Sequence, residues 1–228
     1  AKTKRKASEE EIVDIGQADS KSEEWFNDNK RPLTIGLVAV VVLVGGWFAY
    51  QHFVYQPKVD ESVQASWQPT FAWENDSLTP ALDGTINYAG LISVYDEYSG
   101  TPEGDLANYK VGIAFMNQGK FDQAIDHLSL VDYDDNMVGP LAVGCIGDCL
   151  MELGQTGDAI GYYEEAAEKG DNDLITPYFL KKAGLGHQML NRYADALTHY
   201  ERIRDEYPYS VEARDIAKYI AYCEEFAK

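Results

Sequence analysis

Three hydrophobic patterns follow one another along the chain. The first is an unbroken apolar run, residues 33–50, reading LTIGLVAVVVLVGGWFAY, and no charged residue stands between Arg31 and Lys58. The run has no polar face, so it cannot be the half-buried helix of a water-soluble core. At about 1.5 Å per residue its strictly apolar part is roughly 27 Å long, close to the ~30 Å hydrocarbon core of a bilayer. Tilt and the amphipathic turn at residues 51–55 supply the remainder. The pattern predicts one transmembrane helix over residues 32–56, opening on Pro32 in its first turn. The second pattern has helical spacing at Val59, Val63, Trp67 and Phe71, interrupted by Pro69, and predicts a helical stem over 57–78. Asp76 and Ser77 then read as a cap for a new start. Residues 81–98 read as a helical hairpin broken at Asp83-Gly84 and ended by Ser99-Gly100-Thr101-Pro102.

The third pattern repeats. GIAFMNQGKFDQAIDHL opens at Gly112, GDCLMELGQTGDAIGYY at Gly147 and GLGHQMLNRYADALTHY at Gly184. Each unit opens on glycine and has a larger residue three positions on (Phe115, Leu150, His187). An alanine follows 12 positions after the glycine (Ala124, Ala159, Ala196), and Leu128, Tyr163 or Tyr200 comes four later. Gly119, Gly154 and Asn191 mark the turns. A period near 34 with small and large residues at these places is the tetratricopeptide signature: small residues let two antiparallel helices approach, and large ones fill the space between pairs. The usual early tryptophan is replaced by Asn108, Val143 and Leu180. Residues 83–98 are a candidate degenerate first repeat, and 210–226 a single closing helix capped by Ser210. The expected fold is therefore all-α: a polar tail with a juxtamembrane helix (1–31), a single membrane helix (32–56), a stem (57–78), and a tetratricopeptide solenoid with a C-terminal capping helix (79–228).

Charge orients this layout. Lys21, Lys30 and Arg31 flank the apolar run on its N-terminal side and only Lys58 on the other, which places the N-terminus in the cytoplasm and the bulk of the chain outside. The long polar lead, and the lack of small residues after the run, favour a retained anchor over a cleaved signal peptide. Residues 1–20 read as a disordered, solvated tail, and Ser22 as the cap of a short helix presenting Trp25 and Phe26 to the interface. Trp47, Tyr50, Phe53 and Tyr55 form the outer aromatic belt. Gly36, Gly45, Gly46 and Ala49 provide a small-residue face on which another membrane helix can dock. From Lys58 onward 30 Asp/Glu face 12 Lys/Arg. Such a surface repels nucleic acid and anionic headgroups, and no nucleic-acid partner is expected.

Candidate chemistry is sparse. No nucleophile–base pair, phosphate-cradling loop or paired metal ligands can be found, and no cofactor or metal is expected. The four histidines look scattered, with His127 and His199 exposed at equivalent repeat positions and His187 packed. Asp132, Asp134 and Asn136 begin like a calcium loop, but Met137 and Val143 replace its essential glycine and closing glutamate. Cys145, Cys149 and Cys223 read as small buried hydrophobes, ahead of a thiol-dependent redox role. Binding has more content. In a tetratricopeptide stack the first helices line a concave groove, and this register turns Leu106, Tyr109, Ile113, Met116, Leu141, Asp148, Met151, Tyr178, Lys181, Leu185 and Gln188 inward. The surface is apolar and methionine-rich, suited to polypeptide or to a neighbouring helix.

One family fits this layout. Trp25-Phe26-x-x-Asn29-Lys30 leading into Gly36, Gly45-Gly46-Trp47 and Gln51, with the repeats and the later Tyr207-Pro-Tyr-Ser and Lys218-Tyr-Ile-Ala, resembles the YfgM family, the Bacteroidetes-type members most. The resemblance covers nearly the whole chain. It implies a non-enzymatic accessory subunit of the SecYEG translocon in the inner membrane. Such a subunit acts beside the periplasmic chaperone PpiD and meets translocating polypeptides in the periplasm. The resemblance brings no catalytic residues. A scaffold for another envelope assembly, in division or outer-membrane biogenesis, is the alternative.

Overall fold

The computed structural model describes residues 2–131, 133 and 135–227, with side chains from residue 25 onward. It is helical throughout, and among the described residues the only β pairing is an isolated antiparallel bridge between Gly84 and Ala89. The chain divides into two compact units, Ala1–Pro57 and Lys58–Lys228.

The first unit is built on α1, Lys2–Tyr50, followed by a π-helical turn, Gln51–Tyr55. Two expectations are corrected here. The tail is helical from Lys2, without a new start at Ser22, because residues 2–31 contain no proline and are rich in Lys and Glu, which favour helix. The helix does not begin at Pro32 either, since α1 passes through that proline. The Asn29 side chain donates to the Trp25 carbonyl (2.8 Å) and Thr34 Oγ1 to that of Lys30 (2.7 Å), adding bonds around the position where proline has no N–H. Within Trp25–Glu74 lies a window of mean hydropathy 2.2, long and apolar enough to cross a membrane and wholly unburied.

In the second unit, α2 (Gln56–Glu74) buries the face opposite to the apolar stripe. Ser62, Ser66, Pro69 and Ala72 are covered, whereas Val63, Trp67 and Phe71 are about half exposed or more. Small residues permit close approach, and polar bonds fasten it: Ser66 Oγ donates to Glu103 (3.0 Å) and Lys110 Nζ to Thr70 Oγ1 (2.9 Å). Next come α3 (Leu78–Asp83) and α4 (Leu91–Tyr98), joined by a loop rather than a simple break. Gly90 has no room for a Cβ, which would strike the Leu82 carbonyl. Ser77 sits at the start of α3 but makes no capping side-chain bond. Ala72, Ala81, Leu82, Leu91 and Val94 share a small core with Ala107, Val111 and Ala114 of the next helix.

Three helical hairpins follow: α5 (Pro102–Asn117) with α6 (Phe121–Leu128), α7 (Val138–Glu152) with α8 (Thr156–Gly170), and α9 (Ile175–Met189) with α10 (Tyr193–Glu206). Thr101 caps α5 by accepting from the Gly104 N–H, and Pro102 fills its first turn. The turns within the hairpins use left-handed residues, Gly119 (φ 72°), Gly154 (φ 75°) and Asn191 (φ 57°). Helix contact is set by the repeat positions. A Cβ on Gly112 would meet Leu128 Cγ at 2.6 Å, one on Gly147 would meet Tyr163 Cε1 at 2.7 Å, and one on Gly184 would overlap the Tyr200 ring. Ala124, Ala159 and Ala196 are fully buried beside them. These residues join one core that runs through all three hairpins to Ile216, Ile220 and Cys223. The closing segment is not a single helix. Ser210 Oγ accepts from the Ala213 N–H (3.1 Å), a 3₁₀ turn spans Glu212–Asp215, and α11 then runs Ile216–Phe226.

Candidate binding face and the polar clusters

The first helices of the hairpins carry all eleven residues predicted to line the groove. On α5, Leu106, Tyr109, Ile113 and Met116 are half-buried, as are Leu141, Asp148 and Met151 on α7. On α9, Lys181 and Gln188 are half-buried, while Tyr178 and Leu185 are exposed. Four of the eleven are engaged within the fold, Tyr178 by the Lys182 ammonium. Asp148 receives two bonds from Lys182 Nζ (2.6 and 2.8 Å) and one from the Tyr163 hydroxyl (2.7 Å). Lys181 pairs with Asp215 (2.9 Å). Gln188 donates to Cys223 Sγ (3.1 Å) and accepts from the Tyr200 hydroxyl (3.1 Å). What remains free for a partner is mainly apolar.

Lys182 was not legible as part of this face. Its ammonium lies over the rings of Tyr178 (4.7 Å), Tyr163 (5.5 Å) and Phe179 (5.9 Å) while paired to Asp148, so it ties α7, α8 and α9 together. Burial opposes its charge, but the bonds and charges of Asp148 and Tyr178 outweigh burial and raise its pKa. Burial first, and then the same carboxylate, push the Tyr163 hydroxyl well above the usual phenol range. Beyond Leu185 and Gln188 the face continues into a depression of about 640 Å³, lined also by Met189, Lys218, Tyr219 and Tyr222. Met189 is 63% exposed and Tyr222 49%. Tyr193, Tyr222 and Phe226 extend it as an aromatic cluster with ring centroids 4.8–6.1 Å apart.

On α1, Gly36, Gly45 and Gly46 have no atom beyond the helix's own nearby backbone within 4 Å of where a Cβ would stand, and Ala49 is exposed. Asp132 and Asp134 of the calcium-like run lie outside the described residues.

Two of the four histidines, His187 and His199, are brought together. His127 is half-buried rather than exposed, its Nδ1 2.7 Å from Asn108 Oδ1, and Asn108 Nδ2 donates to the His127 carbonyl (2.9 Å). The tryptophan position of that repeat is thus filled by a fully buried asparagine that joins α5 to α6. His199 is also half-buried. It stacks on His187, with centroids 5.3 Å apart, and both face Glu164.

All three cysteines are free thiols, with Cys149 and Cys223 buried and Cys145 half-buried. Burial first, then the Asp148 charge, pushes Cys145 up to about 12 and Cys149 to about 11. Burial also raises Cys223. At pH 8 a thiol with a pKa near 12 is ionised in only about one molecule in ten thousand, and the thiolate is the reactive form. The expected result is no modification by a disulfide reagent at pH 8 in the native protein and three thiols per chain after denaturation. Rapid native labelling of Cys145 would contradict this and revive a redox role.

With the geometry in place, comparison with known proteins adds one family. Residues 182–210 match the model of the tetratricopeptide repeat. The match covers the second half of α9 and all of α10, and the internal repetition carries its register to the two hairpins before it. The fold is an all-α tetratricopeptide solenoid preceded by a long apolar N-terminal helix. Tetratricopeptide domains are typically non-catalytic scaffolds for protein–protein contact. No curated protein matches the sequence.

Proposed function

We propose that this protein is a membrane-anchored accessory subunit of the Sec protein translocon. It docks by its membrane helix and uses its tetratricopeptide domain outside the membrane to hold a chaperone partner or emerging polypeptide. The observation that carries the binding half is the exposed apolar ground of Leu185, Met189 and Tyr222, with half-buried Tyr219, beside the engaged polar residues of α9. A polypeptide crossing the membrane is unfolded and presents apolar side chains, and adaptable methionine and aromatic surface suits it. The YfgM-like layout supports SecYEG and a PpiD-like periplasmic chaperone as the partners. The acidic surface repels nucleic acid and anionic lipid headgroups, so the bilayer is met through the apolar helix. In this reading the N-terminus is cytoplasmic and the repeats are periplasmic.

The test is a mild-detergent pulldown of the full-length protein with mass spectrometry of its companions. SecY together with a PpiD-like chaperone is the expected recovery. Gly45→Leu combined with Gly46→Leu should reduce SecY recovery severalfold and leave the repeat domain's melting temperature unchanged, because those positions touch nothing within the chain. Undiminished SecY in the double variant removes the membrane-helix contact. Recovery of a division or outer-membrane assembly machine without SecY overturns the translocon reading.

A further inference from the structure

The geometry points to a divalent transition-metal site, of the kind that takes zinc, formed by Glu164 of α8, His187 of α9 and His199 of α10. One ligand atom from each residue lies within 4.8 Å of the others. Glu164 Oε1 is 3.0 Å from His199 Nε2 and 3.5 Å from His187 Nε2. Tetrahedral zinc with bonds of about 2.0–2.1 Å holds its ligand atoms about 3.3 Å apart, so the carboxylate-to-imidazole spacings are already near those of a filled site. Two imidazoles and a carboxylate are a ligand set zinc favours, with the fourth position left to water.

The surroundings fit as well. His187 is 92% buried, yet its Nδ1 has no hydrogen-bond partner. That nitrogen lies 3.8 Å from Asp195 Oδ2, where a small closure makes the carboxylate–histidine–metal relay that orients ligating imidazoles. Arg202, three residues further along α10, is held by Glu206 at 2.9 Å.

Packing does not demand these side chains. The positions equivalent to His187 are Phe115 and Leu150, those equivalent to His199 are His127 and Tyr162, and that equivalent to Glu164 in the first hairpin is Ser129. In the first hairpin Phe115 stacks on His127 with centroids 5.4 Å apart, so a phenyl–imidazole stack fills the same space. The trio occurs only where the second hairpin meets the third, and an ion there would clamp α8 to both helices of the next repeat.

The repeats themselves supply the variants. His187→Phe and His199→Tyr install residues already accommodated at equivalent positions, and Glu164→Gln removes the charge at a partly exposed site. The full-length protein in detergent, stripped with chelator, is titrated with zinc chloride alone by calorimetry and by thermal melting. One equivalent should bind with micromolar or tighter affinity. A hundredfold excess over Kd should raise the melting temperature by about 5–10 °C. Each variant should melt normally without zinc and lose the response. Cobalt in place of zinc should show a visible spectrum without thiolate bands. No zinc uptake overturns the site, as does uptake unchanged in His199→Tyr and Glu164→Gln, which would place the ion on the cysteines or on surface carboxylates.

Discussion

Gly144→Val should lower the stability of the repeat domain by about 3 kcal/mol or more and its melting temperature by roughly 6–12 °C. Gly144 lies in α7, and a Cβ there would overlap the Phe179 ring of α9, whose Cδ1 also lies within 2.9 Å. Phe179 is 1% exposed, stacks against Tyr163 with centroids 6.2 Å apart and sits in the main core, so it has nowhere to retreat. Replacing glycine in a mid-helix usually gains up to about 1 kcal/mol of helix propensity. Here overpacking exceeds that gain, and the sign is set by Phe179. The double variant Gly144→Val, Phe179→Leu should recover part of the loss, because the smaller side chain vacates the space the new methyls need. Thermal denaturation of the four proteins measures the coupling. If Gly144→Val melts as the parent does, the close approach of α7 to α9 is wrong.

The repeat positions were legible because their meaning is local to the unit. Gly112, Gly147 and Gly184 recur with their bulky partners Leu128, Tyr163 and Tyr200, and periodicity alone identifies a small residue facing a large one. The turns at Gly119, Gly154 and Asn191 were legible for a similar reason, since each needs a left-handed backbone that few residues adopt. The stem was harder to read. Its spacing correctly marks Val63, Trp67 and Phe71 as one face, but periodicity says which face is apolar, not which face is covered. Close packing on the neighbouring helix selected Ser62, Ser66 and Ala72 instead, with Glu103 and Lys110 supplying the polar bonds.

The polar clusters were hidden by separation along the chain. Asp148 and Lys182 stand 34 residues apart, and Glu164 stands 23 and 35 from His187 and His199. Each histidine alone is unremarkable in its repeat, and only the stacking of one hairpin on the next brings the side chains together. Comparing equivalent repeat positions offered the one available signal, histidine at 187 where Phe115 and Leu150 stand. The groove residues lie between these extremes. Repeat register placed them on α5, α7 and α9, but it could not foresee that Asp148, Lys181 and Gln188 would be spent on internal bonds.

A pair of arginines in the apolar run, Val41→Arg with Leu43→Arg, should release the protein from the membrane. Residues 33–50 contain ten Leu, Ile, Val or Phe, each favouring insertion by about 0.3–0.6 kcal/mol, for roughly 3–6 kcal/mol in total. An arginine near the centre of a span costs about 2.5–3.5 kcal/mol, and each also forfeits the apolar residue it replaces. One substitution leaves insertion marginal, and two bring the balance to zero or beyond. The second compact unit, with its own core, should be little affected, since no side chain of that run is buried. Fractionation after alkaline carbonate extraction reads the outcome: parent protein in the membrane pellet, a single variant divided, the double variant in the supernatant with its repeat-domain melting transition intact. A double variant that stays in the pellet would show that something other than residues 33–50 holds the chain at the membrane. The anchoring assigned to this helix would then fall, while the tetratricopeptide fold would stand.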